Sequence, residues 1–181
     1  MLVKKDMNMF KGLFSERINL AGAFAKNAHM GQTRKYTGEP YIVHPSAVAE
    51  LLRLNYKECT EEMYMAALLH DTVEDTDATI EEIEEFFGKE VADLVEGLTD
   101  ISKPEDGNRA KRKAIDRDHT AGSSKEVQTI KVFDLIHNTE SIKEHDPKFW
   151  EVYKLEKQDL LNVMTKVDPE IKQLAWESIK D

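Results

Sequence analysis

Ala66-Ala67-Leu68-Leu69-His70-Asp71-Thr72-Val73-Glu74-Asp75-Thr76 is an apolar run that ends abruptly in two metal-capable side chains. Two more carboxylates follow within about one helical turn. Burying Met65, Leu68 and Leu69 fixes the backbone, so the polar tail is held at the edge of a core. A histidine beside an aspartate offers one imidazole nitrogen and one carboxylate oxygen to the same ion, a mixed set suited to manganese, iron or zinc. Glu74 and Asp75 then stand where they can handle the protons of an attacking water. The dipeptide alone says little. The chain carries it again at His145-Asp146, where Pro147 follows and the pattern reads as an N-cap with proline at N1. The apolar approach and the trailing Glu-Asp pair set the first copy apart.

Outward from this stretch the chain reads as helical almost throughout, with no internal repeat. Phe14, Ile18, Ala21, Ala25 and Ala28 recur at helical spacing, predicting a first helix to about Met30 that Gly31 breaks. The loop from Gly31 to Tyr41 sets Arg34 and Lys35 beside an aromatic and leads into His44, with Pro45 at N1 of a second helix. Thr60 fits the N-cap of a helix from Glu61 to about Asp71, and Thr79 with Glu82 forms a capping box. Val91, Leu94, Val95 and Leu98 mark another amphipathic helix. A helix is expected over 109–118, with a break over 119–124 in which Ser123 or Ser124 caps the next one. In that helix, Lys131, Asp134 and Asn138 form a polar stripe at i, i+3 and i+7 among Val132, Phe133, Leu135 and Ile136. Polar groups facing a core need partners, and either a metal with a bound anion or a structural hydrogen-bond network would supply them. Asp146-Pro147 and Asp168-Pro169 start the last two helices.

Composition narrows the function. The 181 residues are 40% hydrophobic, enough for one globular domain with a proper core. A net charge of −10 argues against duplex nucleic acid, whose binders carry a basic face, but leaves an anionic small substrate open. The lone Cys59 precludes an internal disulfide and fits a reducing cytoplasm. No apolar stretch approaches the roughly 20 residues of a membrane span. There is no glycine-rich phosphate loop and no nucleophile-elbow serine. His44, His70, Asp71 and Asp134 therefore stand as the candidate ligands. With Arg34, Lys35 and Lys131 to neutralise leaving charge, the expected chemistry is metal-assisted hydrolysis of a phosphate ester or anhydride.

Four motifs carry a resemblance over about residues 20 to 140. They are His29 with Gly31-Gln32-x-Arg34-Lys35, then Gly38-Glu39-Pro40-Tyr41-Ile42-x-His44-Pro45, then Ala67 to Thr76, then Lys131-x-x-Asp134-x-x-His137-Asn138. Together they resemble the HD-domain hydrolases of the Rel/Spo alarmone family. The resemblance implies an all-α HD-domain helical bundle and a single manganese ion on His44, His70, Asp71 and Asp134. It implies Glu74 and Asp75 as the pair that activates water. It further implies Arg34, Lys35 and Asn138 as nucleotide contacts, with Lys131 as a phosphate contact. The implied reaction removes pyrophosphate from the 3′ position of guanosine tetra- or pentaphosphate (ppGpp or pppGpp), giving GDP or GTP. The chain looks like the small, hydrolase-only members: one domain over 1–181, with C-terminal helices at about 147–180 completing the bundle. The expected setting is cytoplasmic, with a nucleotide substrate, no nucleic acid or membrane partner, and no indicated oligomer. The sequence departs from the long enzymes at Thr139-Glu140-Ser141 and over 108–125. This leaves open another nucleotide (an adenosine alarmone, a deoxynucleotide or a phosphorylated nicotinamide cofactor) and a non-catalytic nucleotide sensor.

Overall fold

Short polar side chains start the helices. Thr60 accepts from the Met63 N–H at 3.1 Å, Asn108 from Lys111 at 3.0 Å, Ser124 from Val127 at 3.2 Å and Asp146 from Phe149 at 3.1 Å, and Thr79 with Glu82 forms the complete capping box. The computed structural model describes residues 15–180, so Phe14 lies outside the described residues. Within them run α1 (Glu16–Ala28), α2 (Val43–Asn55), α3 (Glu61–Leu69), the single turn α4 (Thr72–Asp75), α5 (Ile80–Phe87) and α6 (Lys89–Leu98). After a 3₁₀ turn (Pro104–Asp106) come α7 (Arg109–Gly122), α8 (Lys125–His145), α9 (Pro147–Val163) and α10 (Pro169–Ser178). Among the described residues, β pairing is confined to one bridge between Thr33 and Pro40, so the architecture is all-α.

Three boundaries and one cap differ from the sequence expectation. Helix α2 begins at Val43, so His44 lies inside its first turn and Pro45 is the third helical residue. The proline costs no helix bond there, because the first four N–H groups have no intrahelical acceptor. Helix α3 ends at Leu69, and His70 and Asp71 keep right-handed helical backbone as the chain passes into α4. Helix α7 continues through the expected break to Gly122, because Gln128 from α8 donates to the Thr120 and Ala121 carbonyls at 3.0 and 3.2 Å. Asp168 occupies the N-cap of α10 without a capping bond, and its carboxylate pairs with Lys125 at 2.9 Å.

The site rests on the two most deeply set helices. Every residue of α3 from Met63 to Leu69 is buried, and in α8 so are Ile130, Val132, Phe133 and Leu135. Each such aliphatic side chain contributes about 1.5–3 kcal/mol by leaving water. Helices α1, α2 and α6 pack on α3, while α2, α6, α9 and α10 pack on α8. Gly97 lets α6 approach α8 closely, since a Cβ there would meet Val127 Cγ2 at 2.8 Å. One apolar cluster runs from Ala21 to Ile179 and includes Trp150, Tyr153, Leu161 and Ala175 of α9 and α10.

A buried carboxylate fixes the loop that follows α6. Asp116 accepts from the Ile101 and Ser102 N–H groups at 3.1 and 2.9 Å and from the Ser102 hydroxyl at 2.9 Å. Asp116→Ala strands these donors. The expected loss is about 3 kcal/mol of stability, read from urea unfolding. Asp116→Asn, which keeps one acceptor oxygen, is expected to lose less.

Candidate metal centre and adjoining pocket

Three elements bring four side chains together. His44 comes from the first turn of α2, His70 and Asp71 from the junction of α3 and α4, and Asp134 from the middle of α8. The His70 Nδ1 lies 2.8 Å from the Ala67 carbonyl, so Nδ1 carries the proton and Nε2 presents its lone pair. That Nε2 is buried with no hydrogen-bond partner, 3.1 Å from Asp71 Oδ2 and 3.7 Å from Asp134 Oδ1. His44 Nε2 stands 3.4 Å from Asp71 Oδ2 and 3.2 Å from Asp134 Oδ1. Donor atoms of His44, His70 and Asp134 all lie within 4.8 Å of one another.

Two imidazole lone pairs and two carboxylate oxygens converging in a buried space repel one another unless positive charge lies between them. Ligands at right angles around one ion, with bonds of about 2.1 Å, are roughly 3 Å apart, so these separations fit a divalent cation. The electrostatics agree. Burial alone would push His70 down, but Asp71 and Asp134 outweigh it and raise the imidazole to about 10, so without an ion a second proton, on Nε2, supplies the positive charge these carboxylates call for. Burial likewise opposes the charge on Asp71 and Asp134, yet His70 and His44 hold the first, and Lys131 with both histidines the second, well below the usual carboxylate range.

The adjacent carboxylates diverge. Glu74 Oε2 accepts from the Asp100 N–H at 3.1 Å, on the side where Lys131 lies 3.9 Å from Asp100 and 3.5 Å from Asp134. Desolvation of its carboxyl group, with the Asp100 charge adding to it, pushes Glu74 up to about 7. Asp75 faces the other way, where the Tyr41 hydroxyl is shared between Asp71 Oδ2 at 2.7 Å and Asp75 Oδ2 at 3.1 Å. Burial and the two carboxylates raise the Tyr41 phenol, which therefore stays a donor.

A pocket of about 310 Å³ is lined by Arg34, Lys35, Tyr36, Tyr41, Asn138 and Phe149, among others. Arg34 donates to Asn138 Oδ1 at 2.9 Å, and Asn138 Nδ2 donates to Asp134 Oδ1 at 2.6 Å, so the pocket is wired to the cluster. Lys35 sits at the rim with its side chain 74% exposed, bonded to the Tyr36 hydroxyl at 3.1 Å and 3.8 Å from Asp146. Asp146 thus does more than cap α9.

Three residues to which sequence reasoning assigned no role are tied to the site by the structure. Tyr41 bridges Asp71 and Asp75. His29 is buried under the Tyr41 ring and bonds Gln32, whose amide donates to the Asp75 carbonyl at 2.7 Å. His137 Nδ1 lies 2.8 Å from His44 Nδ1. All three stand inside the motifs quoted above, but only their tertiary partners reveal what they do.

Comparison with known proteins places this arrangement. The HD domain family model matches residues 21–163. A guanosine-3′,5′-bis(diphosphate) 3′-pyrophosphohydrolase of Aquifex aeolicus is 56% identical over 89 residues, which are 49% of this chain and 12% of that much longer protein. The Danio rerio guanosine-3′,5′-bis(diphosphate) 3′-pyrophosphohydrolase MESH1 is 37% identical over 135 residues, 74% of this chain and 73% of the relative. A solved structure described as a metazoan ortholog of SpoT that hydrolyzes ppGpp superposes with a TM-score of 0.81 at 27% identity, covering 91% of this chain and 94% of the other. No helix among the described residues is long and apolar enough to cross a membrane.

Proposed function

This chain belongs to the HD-domain family, and from that membership we propose that it is a metal-dependent hydrolase of guanosine 3′,5′-bis(diphosphate). It removes pyrophosphate from the 3′ position, giving GDP from the tetraphosphate and GTP from the pentaphosphate. The observation that carries the reading is the convergence of His44, His70 and Asp134 donor atoms within 4.8 Å, in a chain that aligns with a named pyrophosphohydrolase over about three quarters of both lengths.

In this reading one domain holds a single manganese ion on His44, His70, Asp71 and Asp134. When bound, the ion supplies Lewis acidity and makes water a stronger nucleophile near neutral pH. Glu74 takes the proton of the water that attacks the 3′-linked phosphorus. Asp75, held by Tyr41, orients that water. The bond from phosphorus to the 3′ oxygen breaks, pyrophosphate departs, and the 3′ oxygen takes up a proton. Lys131, permanently charged between Asp134 and Asp100, offsets the charge on the phosphoryl oxygens. Arg34 and Asn138 hold the nucleoside, and Lys35 at the rim meets its base or phosphates. We place the protein in the cytoplasm, where its lone Cys59 needs no partner.

Product analysis tests the reaction. Incubation with guanosine tetraphosphate and manganese is expected to yield GDP and pyrophosphate in equal amounts. Release of orthophosphate instead, or no turnover with the ion bound, moves the substrate to another nucleotide. Tight binding without product makes the protein a sensor.

His137 gives a separate prediction. For His44 to offer Nε2, its Nδ1 must carry the proton and donate to His137 Nδ1, which therefore acts as acceptor. His137→Phe removes that acceptor and is expected to weaken manganese binding roughly 10–100-fold, read by chelator competition. His137→Gln, which restores an acceptor, is expected to recover much of the affinity.

A further inference from the structure

The loop between α1 and α2 is closed on itself by its own backbone. The Tyr41 N–H donates to the Gln32 carbonyl at 3.0 Å, the Arg34 N–H to the Glu39 carbonyl at 2.8 Å and the Gly38 N–H to the Arg34 carbonyl at 3.0 Å, and Thr33 bridges to Pro40. The arm of the loop carries Arg34 and Lys35, and its root is Gln32 with Tyr41. Both root residues reach Asp75, each at a different end. The Tyr41 hydroxyl bonds its carboxylate, at 3.1 Å from Oδ2, while the Gln32 amide donates to its main-chain carbonyl at 2.7 Å.

That carbonyl needs a donor from outside its own helix. Helix α4 is a single turn ending at Asp75, and the last carbonyls of a helix have no intrahelical N–H to accept from. One turn is also too short to be stable by itself. Thr72, at the start of the turn, is buried, but Asp75 at its end is exposed. Packing therefore anchors one end, and hydrogen bonds must set the direction of the other. His29 decides which way round the Gln32 amide lies. A carbonyl can only accept, so Gln32 presents Nε2 to Asp75 and turns Oε1 towards His29 Nδ1, 2.8 Å away. Nδ1 must then carry the ring proton. The His29 ring is 3% exposed and lies against Tyr41, ring centres 4.6 Å apart, so the donor is held in place by packing.

We propose that Gln32 is a positioning residue: with His29 behind it, it caps α4 and sets the direction of Asp75. The inference rests on the reading above, in which Asp75 orients the attacking water. It adds a physical tie between the two halves of the site. The loop whose arm meets the nucleotide holds at its root the carboxylate that meets the water.

The test uses the full chain with manganese and guanosine tetraphosphate. Gln32→Met keeps the length of the side chain but has no donor. Gln32→Glu keeps an acceptor for His29 while setting an oxygen against the Asp75 carbonyl. Each change is made alone and in an Asp75→Ala background. Gln32→Met is expected to lower kcat roughly 10–100-fold, the scale on which a small misplacement acts. KM and manganese content should not change, because backbone bonds still close the loop. Gln32→Glu should cost at least as much. In Asp75→Ala the Gln32→Met loss should vanish, since the carbonyl is still there but no carboxylate is left to aim. A general weakening of the fold would cost the same in both backgrounds. Hydrogen exchange of the metal-free protein gives a readout that needs no turnover. Without the cap, the Asp75 and Thr76 amides, which donate to the Asp71 and Thr72 carbonyls, should exchange severalfold faster. An undiminished kcat in both variants, or a loss that recurs in full in Asp75→Ala, would overturn the proposal. A wild type that leaves guanosine tetraphosphate intact sinks the reaction instead, and exchange then decides the cap: faster exchange in Gln32→Met upholds it, and unchanged exchange overturns it.

Discussion

His70→Ala is expected to lower turnover of guanosine tetraphosphate on the order of 10⁴-fold or more, because without the ion water has no activated form at neutral pH. The variant loses a buried nitrogen whose other face is fixed by the Ala67 carbonyl, and nothing nearby can replace it. Asp71 and Asp134 then confront one another with less positive charge between them. Manganese measured by mass spectrometry should fall from one equivalent per chain to a small fraction. The helices should survive, since α3 stays packed through Met63 to Leu69. Exhaustive chelation of the wild type should mimic the variant, but adding manganese back should rescue only the wild type. Turnover that persists after chelation would refute the mechanism.

Glu74→Gln is expected to lower kcat by about 10²–10⁴-fold while leaving the manganese content unchanged, since the amide keeps the shape but cannot accept a proton. The pH profile supplies the sign. Desolvation and the Asp100 charge raise Glu74 to about 7 against the pull of Lys131, and a divalent ion in the neighbouring cluster would draw it down further. A base must be ionised to act. Wild-type kcat should therefore rise with pH, with a midpoint no higher than about 7, and be lost as acid protonates Glu74. In Glu74→Gln that limb should vanish from the residual rate. An unchanged limb would assign it to another group. Asp75→Asn should cost less, because Tyr41 can still bond the amide oxygen.

How much of this was legible in the sequence depended on range. Caps act over three residues, so Thr60, Thr79 and Asp146 could be read directly, and Ser124 to within one residue. His70, Asp71 and Asp134 could be picked out as candidate ligands because an apolar run ending in His70-Asp71 and a polar stripe through Asp134 are both local patterns. The end of α7 was not, because the Gln128 amide that holds its last carbonyls comes from another helix. Nor was the link between His44 and His137, which spans 93 positions and leaves no mark on periodicity. In each case the missing information was which helix faces which.

The amide of Asn138 spans two duties, touching Arg34 in the pocket proposed for the nucleoside with one atom and Asp134 with the other. Any change there selected for a new base would disturb the ion as well, and descendants carrying it would be discarded before the new preference could be tested. Divergence of substrate choice on this scaffold should therefore be channelled into positions free of that tie, such as Lys35 and Tyr36 at the pocket rim. A mutational library aimed at another nucleotide would do best to begin with those two codons and leave Asn138 alone.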